Sequence, residues 1–183
     1  MKEQQKKYEL TDEFIEHWSG KKLYRIRALV TFGAVVAGQL GGFVESEKNL
    51  DQSLSSNAWV YGYAQVYGNA RVYGDAQVCG DARVCGDARV YGDARVCGNA
   101  RVRSYAVIYE RKMIFWVSNV GSENGTLTVF NGKDGLLVTR GCFVGTVDEF
   151  LAKSAEVHDD KTKNEYKLLI EVAKSRILGV KDE

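Results

Sequence analysis

A valine recurs every six residues from Val60 to Val102, eight times without a miss. An alanine stands two residues before each of them, and a Tyr or Cys usually follows. Glycine and then Asp or Asn close most hexads, as in "ARVYGDARVCGNARV". A helix repeats at 3.6 residues and a strand alternates at two, so six fits neither alone. It fits a solenoid of short flat strands joined by tight corners. Along each strand side chains alternate, so Ala and Val point inward and the residues between and after them point outward. Gly accepts positive φ at the corner, and Asn and Asp tolerate it better than most residues. Three hexads then close one coil of 18 residues, and parallel coils stack ~4.8 Å apart.

Folding the chain at that period gives three unlike faces. One stacks Tyr73, Tyr91 and Tyr109 beside Arg71, Arg89 and Val107. A second stacks Tyr61, Cys79 and Cys97 beside Trp59, Gln77 and Arg95. The third stacks Tyr67, Cys85 and Arg103 beside Gln65, Arg83 and Arg101. At the corners Asp alternates with Asn or Tyr between coils, and only Asp75 and Asp93 place two carboxylates one rung apart.

The flanks differ in texture and divide the chain into three parts. Residues 1–35 read as an N-terminal β-hairpin cap, with strand-like alternation in "YELT" and "LYRIRALV". Residues 36–109 form the β-helix, entered irregularly through "VVAGQLGGFVESEKNLDQSLSSNA". Residues 110–183 form a small α+β domain. There "MIFWVSNV", "TLTVF" and "GLLVT" read as three strands joined by turns at "GSENG" and "NGKDG". A capping box opens one helix at Thr146 with Glu149. The same device places a second helix start at Thr162 with Glu165, with an apolar stripe of Tyr166, Leu169, Ile170, Ala173 and Ile177 ending at Gly179.

Composition narrows the function only a little. The net charge is +1, so no global field draws the chain to nucleic acid. The start, MKEQQKKYEL, has no apolar leader core, which points to the cytoplasm. Cysteines there are expected as reduced thiols, three of them small fillers on the coil surface.

The hexads resemble the [Leu/Ile/Val]-x-x-x-[small]-x repeat of hexapeptide-repeat proteins. That resemblance implies a left-handed parallel β-helix, a hand that the period itself does not fix, and a homotrimer. Nearly the full length also resembles phage- and prophage-encoded hexapeptide-repeat proteins, through "LYRIRAL", "AGQLGGFVESEKNL", "GCFVGTVDEF" and the late His158. The fold class expected is thus mainly β: a left-handed β-helix between an N-terminal β cap and a C-terminal α+β domain.

Many hexapeptide-repeat proteins are trimeric acyltransferases, which need a histidine base between subunits. This chain has only His17 and His158, and neither lies in the coils. The three imidazoles of a γ-type carbonic anhydrase are missing for the same reason. Cys142 and His158 offer a thiol and an imidazole, but no third group to orient them is evident, and a packed Cys and a helix-end His explain them as well. The expectation is a non-enzymatic binding protein with no catalytic residue, cofactor or metal.

Its partner-binding residues are expected among Arg71, Arg83, Arg89, Arg95, Arg101, Arg103, Tyr73, Tyr91 and Tyr109, since Arg and Tyr are enriched at interfaces. Self-association is expected on the least charged face, through Trp59, Tyr61, Cys79 and Cys97. The phage resemblance implies a host protein or ribonucleoprotein as partner, with antagonism of a defence system such as CRISPR as the task. Direct nucleic-acid contact is a weaker candidate, because Asp75, Asp81, Asp87 and Asp93 offset the arginines. An acyltransferase, sequestration of a nucleotide signal between subunits, and a structural scaffold are the alternatives. "SNVGSENG" is a polar loop that reads as a hairpin turn or a small-anion site.

Overall fold

Inward Ala and Val against outward Arg and Tyr decide the architecture. The computed structural model describes residues 3–179. Its centre is a parallel β-solenoid of two-residue strands, one per hexad. In chain order they are β4 (Trp59–Val60), β5 (Gln65–Val66), β6 (Arg71–Val72), β7 (Gln77–Val78), β8 (Arg83–Val84), β9 (Arg89–Val90), β10 (Arg95–Val96), β11 (Arg101–Val102) and β12 (Val107–Ile108). They form three parallel ladders: β4–β7–β10, β5–β8–β11 and β6–β9–β12. The register is Trp59 on Gln77 on Arg95, Gln65 on Arg83 on Arg101, and Arg71 on Arg89 on Val107. Every repeat alanine and valine from Ala58 to Val102 is buried in one core that runs up the prism. The chain is a mainly β repeat protein of about four turns with strands before the coils and strands plus helices after them.

The corners follow the chemistry of the hexad. Each repeat glycine from Gly62 to Gly98 has φ between 60° and 68°. Asn57 Nδ2 donates to Asp75 Oδ1 and Asn69 Nδ2 to Asp87 Oδ1, both at 3.0 Å, so at two corners an amide meets the carboxylate one rung above it. The last coil departs from the pattern, with Ser104 in the glycine position at φ 61°. A Cβ on Gly86, one coil below, would lie 2.8 Å from the Ser104 backbone nitrogen. Left-handed backbone disfavours any Cβ by about 1–2 kcal/mol. Ser104→Gly is therefore expected to raise stability by about 1 kcal/mol. Gly86→Ser adds a clash to that strain and should lower stability by about 2–4 kcal/mol. Urea unfolding of the two variants checks both signs.

A solenoid has two open ends, and each must satisfy the backbone groups of its last coil. At the N-terminal end, β1 (Tyr8–Glu16) and β2 (Lys22–Ala28) form an antiparallel hairpin, and β3 (Leu40–Val44) adds to it. β3 then pairs parallel with β5, so one six-stranded sheet runs from the cap up a solenoid face. Carbonyls of the first regular coil receive Phe43 N–H, Glu45 N–H and Asp51 N–H. Asn49 Nδ2 reaches the carbonyls of Gly68 and Ala70. Lys7 is wholly buried, and its Nζ donates to the carbonyls of Ser56 at 3.2 Å and Ala58 at 3.0 Å. Burial lowers the pKa of this amine to about 8, against a smaller opposing pull from Asp51.

At the other end, β13 (Ile114–Val120), β14 (Gly125–Gly132), β15 (Gly135–Arg140) and β16 (Phe143–Thr146) form an antiparallel sheet in chain order. Thr128 Oγ1 accepts Arg101 N–H, and Thr139 Oγ1 donates to Arg101 C=O. β16 adds a fourth strand to the three read from the sequence. It is only four residues long, "FVGT", too short for alternation to mark it as a strand. Helices α1 (Val147–Val157) and α2 (Asp160–Leu178) pack on this sheet in a second core. The Thr146–Glu149 capping box opens α1 as expected. For α2 the expected start is corrected: Asp159 is the cap, its carboxylate accepts Thr162 N–H, and Thr162 lies buried inside the first turn. Glu165 instead accepts Gly121 N–H from the sheet. No described helix is long and apolar enough to cross a membrane.

Candidate binding surfaces

The 18-residue register sorts the candidate arginines and tyrosines onto separate faces. On β6–β9–β12 the tyrosines form a stack. Tyr73 and Tyr91 are parallel, with centroids 4.8 Å apart, and Tyr91 and Tyr109 follow at 5.4 Å. Burial, and then the two flanking phenols, push the Tyr91 pKa up. Arg71 and Arg89 stand in register beside the stack, exposed, and neither enters an ion pair among the described residues. A shallow hollow of about 480 Å³ runs from this pair to Leu50 and Gln52. Glu47 and Asp51 at its rim temper the positive charge, and Glu47 is held by Lys6 at 2.7 Å.

Arg83, Arg101 and Arg103 lie on β5–β8–β11 or immediately after it, half-buried rather than exposed. Arg101 Nη1 donates to the Asp81 carbonyl at 2.9 Å, and Arg103 Nη2 to the Gly141 carbonyl at 3.0 Å. Burial and then the Arg83 guanidinium lower the Arg101 pKa. The β1–β2 turn brings His17 to this face, its ring 4.7 Å from that of Tyr67. Burial, and the Cys85 thiol beside it, push the Tyr67 phenol up to about 12. Sequence reasoning missed His17 and its neighbour Trp18 here. "HWSGKK" reads as a turn between strands, and only the cap's packing shows which face that turn overlies. Arg95, grouped with the other arginines in sequence, lies on the remaining face.

That remaining face needs two corrections as a self-association surface. Trp59 is 0% exposed. It points out of the prism as alternation requires, but the cap covers it: Tyr8 and Phe32 meet its ring edge-on at 6.0 and 5.3 Å. It is therefore unavailable to a second copy. Cys79 and Cys97 are not reduced fillers; they are joined as a disulfide across one coil, with Cα atoms 4.5 Å apart. The register explains it, since residues 18 apart face each other on adjacent rungs, within the reach of a disulfide. Cys85 and Cys142 are free thiols.

The catalytic constellations weighed from the sequence have these settings. His17 Nδ1 bonds Ser19 Oγ at 2.7 Å, and His158 Nδ1 bonds Ser154 Oγ at 2.9 Å. Cys142 and His158 line one hollow of about 220 Å³, but no hydrogen bond joins thiol to imidazole. Among the described residues, no three His, Cys, Asp or Glu side chains converge as metal ligands would. "SNVGSENG" spans the end of β13, the turn at residues 121–124 and the first residue of β14, with Asn119 at positive φ where the β13–β14 register shifts and Asn124 at positive φ in the turn.

Ladders, inward Ala–Val core and glycine corners define the class: a β-solenoid repeat protein. Four overlapping stretches, residues 64–80, 76–92, 82–96 and 94–110, match the YdcK Beta solenoid repeat. The match covers the coils from β5 to β12, so it describes the repeat rather than the whole chain. No curated protein matches the chain.

Proposed function

We propose that this is a non-catalytic binding protein that docks an acidic surface of a bacterial host macromolecule on the Tyr73–Tyr91–Tyr109 face. The observation that carries the reading is the exposed, in-register Arg71–Arg89 pair beside a pre-stacked tyrosine ladder. Like charges directly opposite each other on a sheet are unfavourable. An acidic partner relieves that repulsion, and rigid tyrosines contribute contact area with little loss of side-chain freedom. The flanks' resemblance to phage-encoded proteins supports a component of a defence system, such as a CRISPR effector complex, as the partner class. A symmetric trimer belongs to the same proposal, assembled without Trp59.

The test is phage plating on bacteria that carry an active CRISPR effector, with the protein expressed in the cell. Expression should raise plating efficiency, and the effector should co-purify with the protein. Arg71→Glu with Arg89→Glu should weaken that association by about 2–4 kcal/mol, the range of interface anchors. Unchanged plating with the wild type removes the defence reading. Protection of phage by wild type and double variant alike removes this face as the docking surface.

A further inference from the structure

A second site lies away from the tyrosine ladder. The hairpin tip, the β5–β8–β11 face and the Gly141–Cys142 turn enclose a cleft of about 450 Å³. Arg83, Arg101 and Arg103 line it together with His17, Trp18 and Tyr67. Arg83 and Arg101 face each other directly on neighbouring rungs. None of the three guanidiniums has a carboxylate in ion-pair range among the described residues. The carboxylates nearby are otherwise placed. Glu45 pairs with Lys21 and accepts Gly68 N–H, while Asp81 offers Arg101 its backbone carbonyl. The Asp81 carboxylate acts on Arg101 from beyond ion-pair range and more weakly than the neighbouring guanidiniums, so three half-buried cations held together without an ion pair favour an anion between them. Guanidinium forks match the oxygens of a phosphate.

The cleft's other wall is aromatic. His17 lies between Trp18 at 5.3 Å and Tyr67 at 4.7 Å. Trp18 is 89% exposed, an unusual position for a large indole, and it stands at the mouth of the cleft. His17 Nε2 is shut off from solvent with no hydrogen-bond partner. A flat ring presented beside a phosphate grip suits a planar base. The volume is that of a small-molecule site.

We propose that this cleft binds a nucleotide, its phosphate on Arg83, Arg101 and Arg103 and its base against Trp18. The coil supplies the anion grip and the cap supplies the stacking surface, so the site exists only where the two meet. It shares no residue with the Arg71–Arg89 face, and either site can fail without the other.

The test is calorimetric titration of the whole protein with the four nucleoside 5′-monophosphates, with adenosine and inorganic phosphate as partial ligands. Tryptophan fluorescence is followed in parallel. At least one monophosphate should bind with Kd below about 1 mM, more tightly than adenosine or phosphate, and alter the fluorescence. Arg83→Glu should weaken it at least about tenfold, as loss of a charged hydrogen bond does. Trp18→Ala, at an exposed tip that the fold does not need, should weaken it about fivefold or more and abolish the fluorescence change. Absence of binding by all four monophosphates overturns the proposal. So does binding that Trp18→Ala leaves unchanged, or binding of a single-stranded oligonucleotide with no response to mononucleotides. Should Arg83→Glu fail to fold, the Trp18→Ala comparison decides alone.

Discussion

Replacing Trp59 with alanine lowers the unfolding free energy by about 3–5 kcal/mol, the range for a large buried aromatic. The side chain is fully buried and meets Tyr8, Phe32 and the cap strands. A Cβ on Gly41 would lie 2.7 Å from the indole, so β3 is fitted to the ring. The indole N–H has no hydrogen-bond partner, so alanine removes packing and no polar contact. The cavity would open where the hairpin cap meets the first coil, and local collapse there would free the cap. Urea unfolding measures the loss. Sedimentation distinguishes it from an interface effect: a self-association residue would shift the mass with little change in stability, and Trp59→Ala is expected to do the reverse.

Lys7→Met is expected to cost more at pH 10 than at pH 7. The amine satisfies two carbonyls that the solenoid's first coil leaves open. Methionine fills the space but donates nothing, and each buried orphaned carbonyl costs about 1–3 kcal/mol. The wild-type amine contributes differently with pH, because its folded pKa of about 8 lies below its ordinary 10.5. Between those values the unfolded chain binds more protons than the folded one, so wild-type stability rises with pH. The penalty for burying the ammonium is full below pH 8 and gone above 10.5. Tyr8 acts in the opposite sense: burial raises its pKa, and that contribution is lost above its ordinary 10.0. The informative window is therefore pH 8–10, where wild-type stability should climb and that of Lys7→Met should climb less. Parallel slopes for the two proteins would show that the amine is not the titrating group.

The six-residue valine gave up the solenoid because every hexad repeats one decision: small and branched inside, polar or aromatic outside, glycine at the corner. Helix α1 was legible for a similar reason, since the Thr146–Glu149 box closes within one turn. The start of α2 was not, because two capping patterns lie three residues apart and Asp159 takes the earlier N–H. The tyrosine ladder follows from counting by 18 residues, as does the juxtaposition of Cys79 and Cys97 that the structure bonds. The cleft does not follow. His17 and Arg101 are 84 positions apart in the chain, and no local pattern says that a hairpin tip overlies the β5–β8–β11 ladder.

The sequence by itself determined the coil, its inward core, its corners and the rows in which outward residues stack. Those depend on alternation and period, which are local. Only the tertiary structure decided which rows stay open. The cap and the C-terminal sheet close the solenoid's ends through backbone hydrogen bonds, and where they settle removes Trp59 from the surface. The same packing half-buries Arg83, Arg101 and Arg103 and leaves Arg71, Arg89 and Arg95 exposed. Burial and charge crowding come from which elements meet, and the hexad repeats identically whether or not anything covers it.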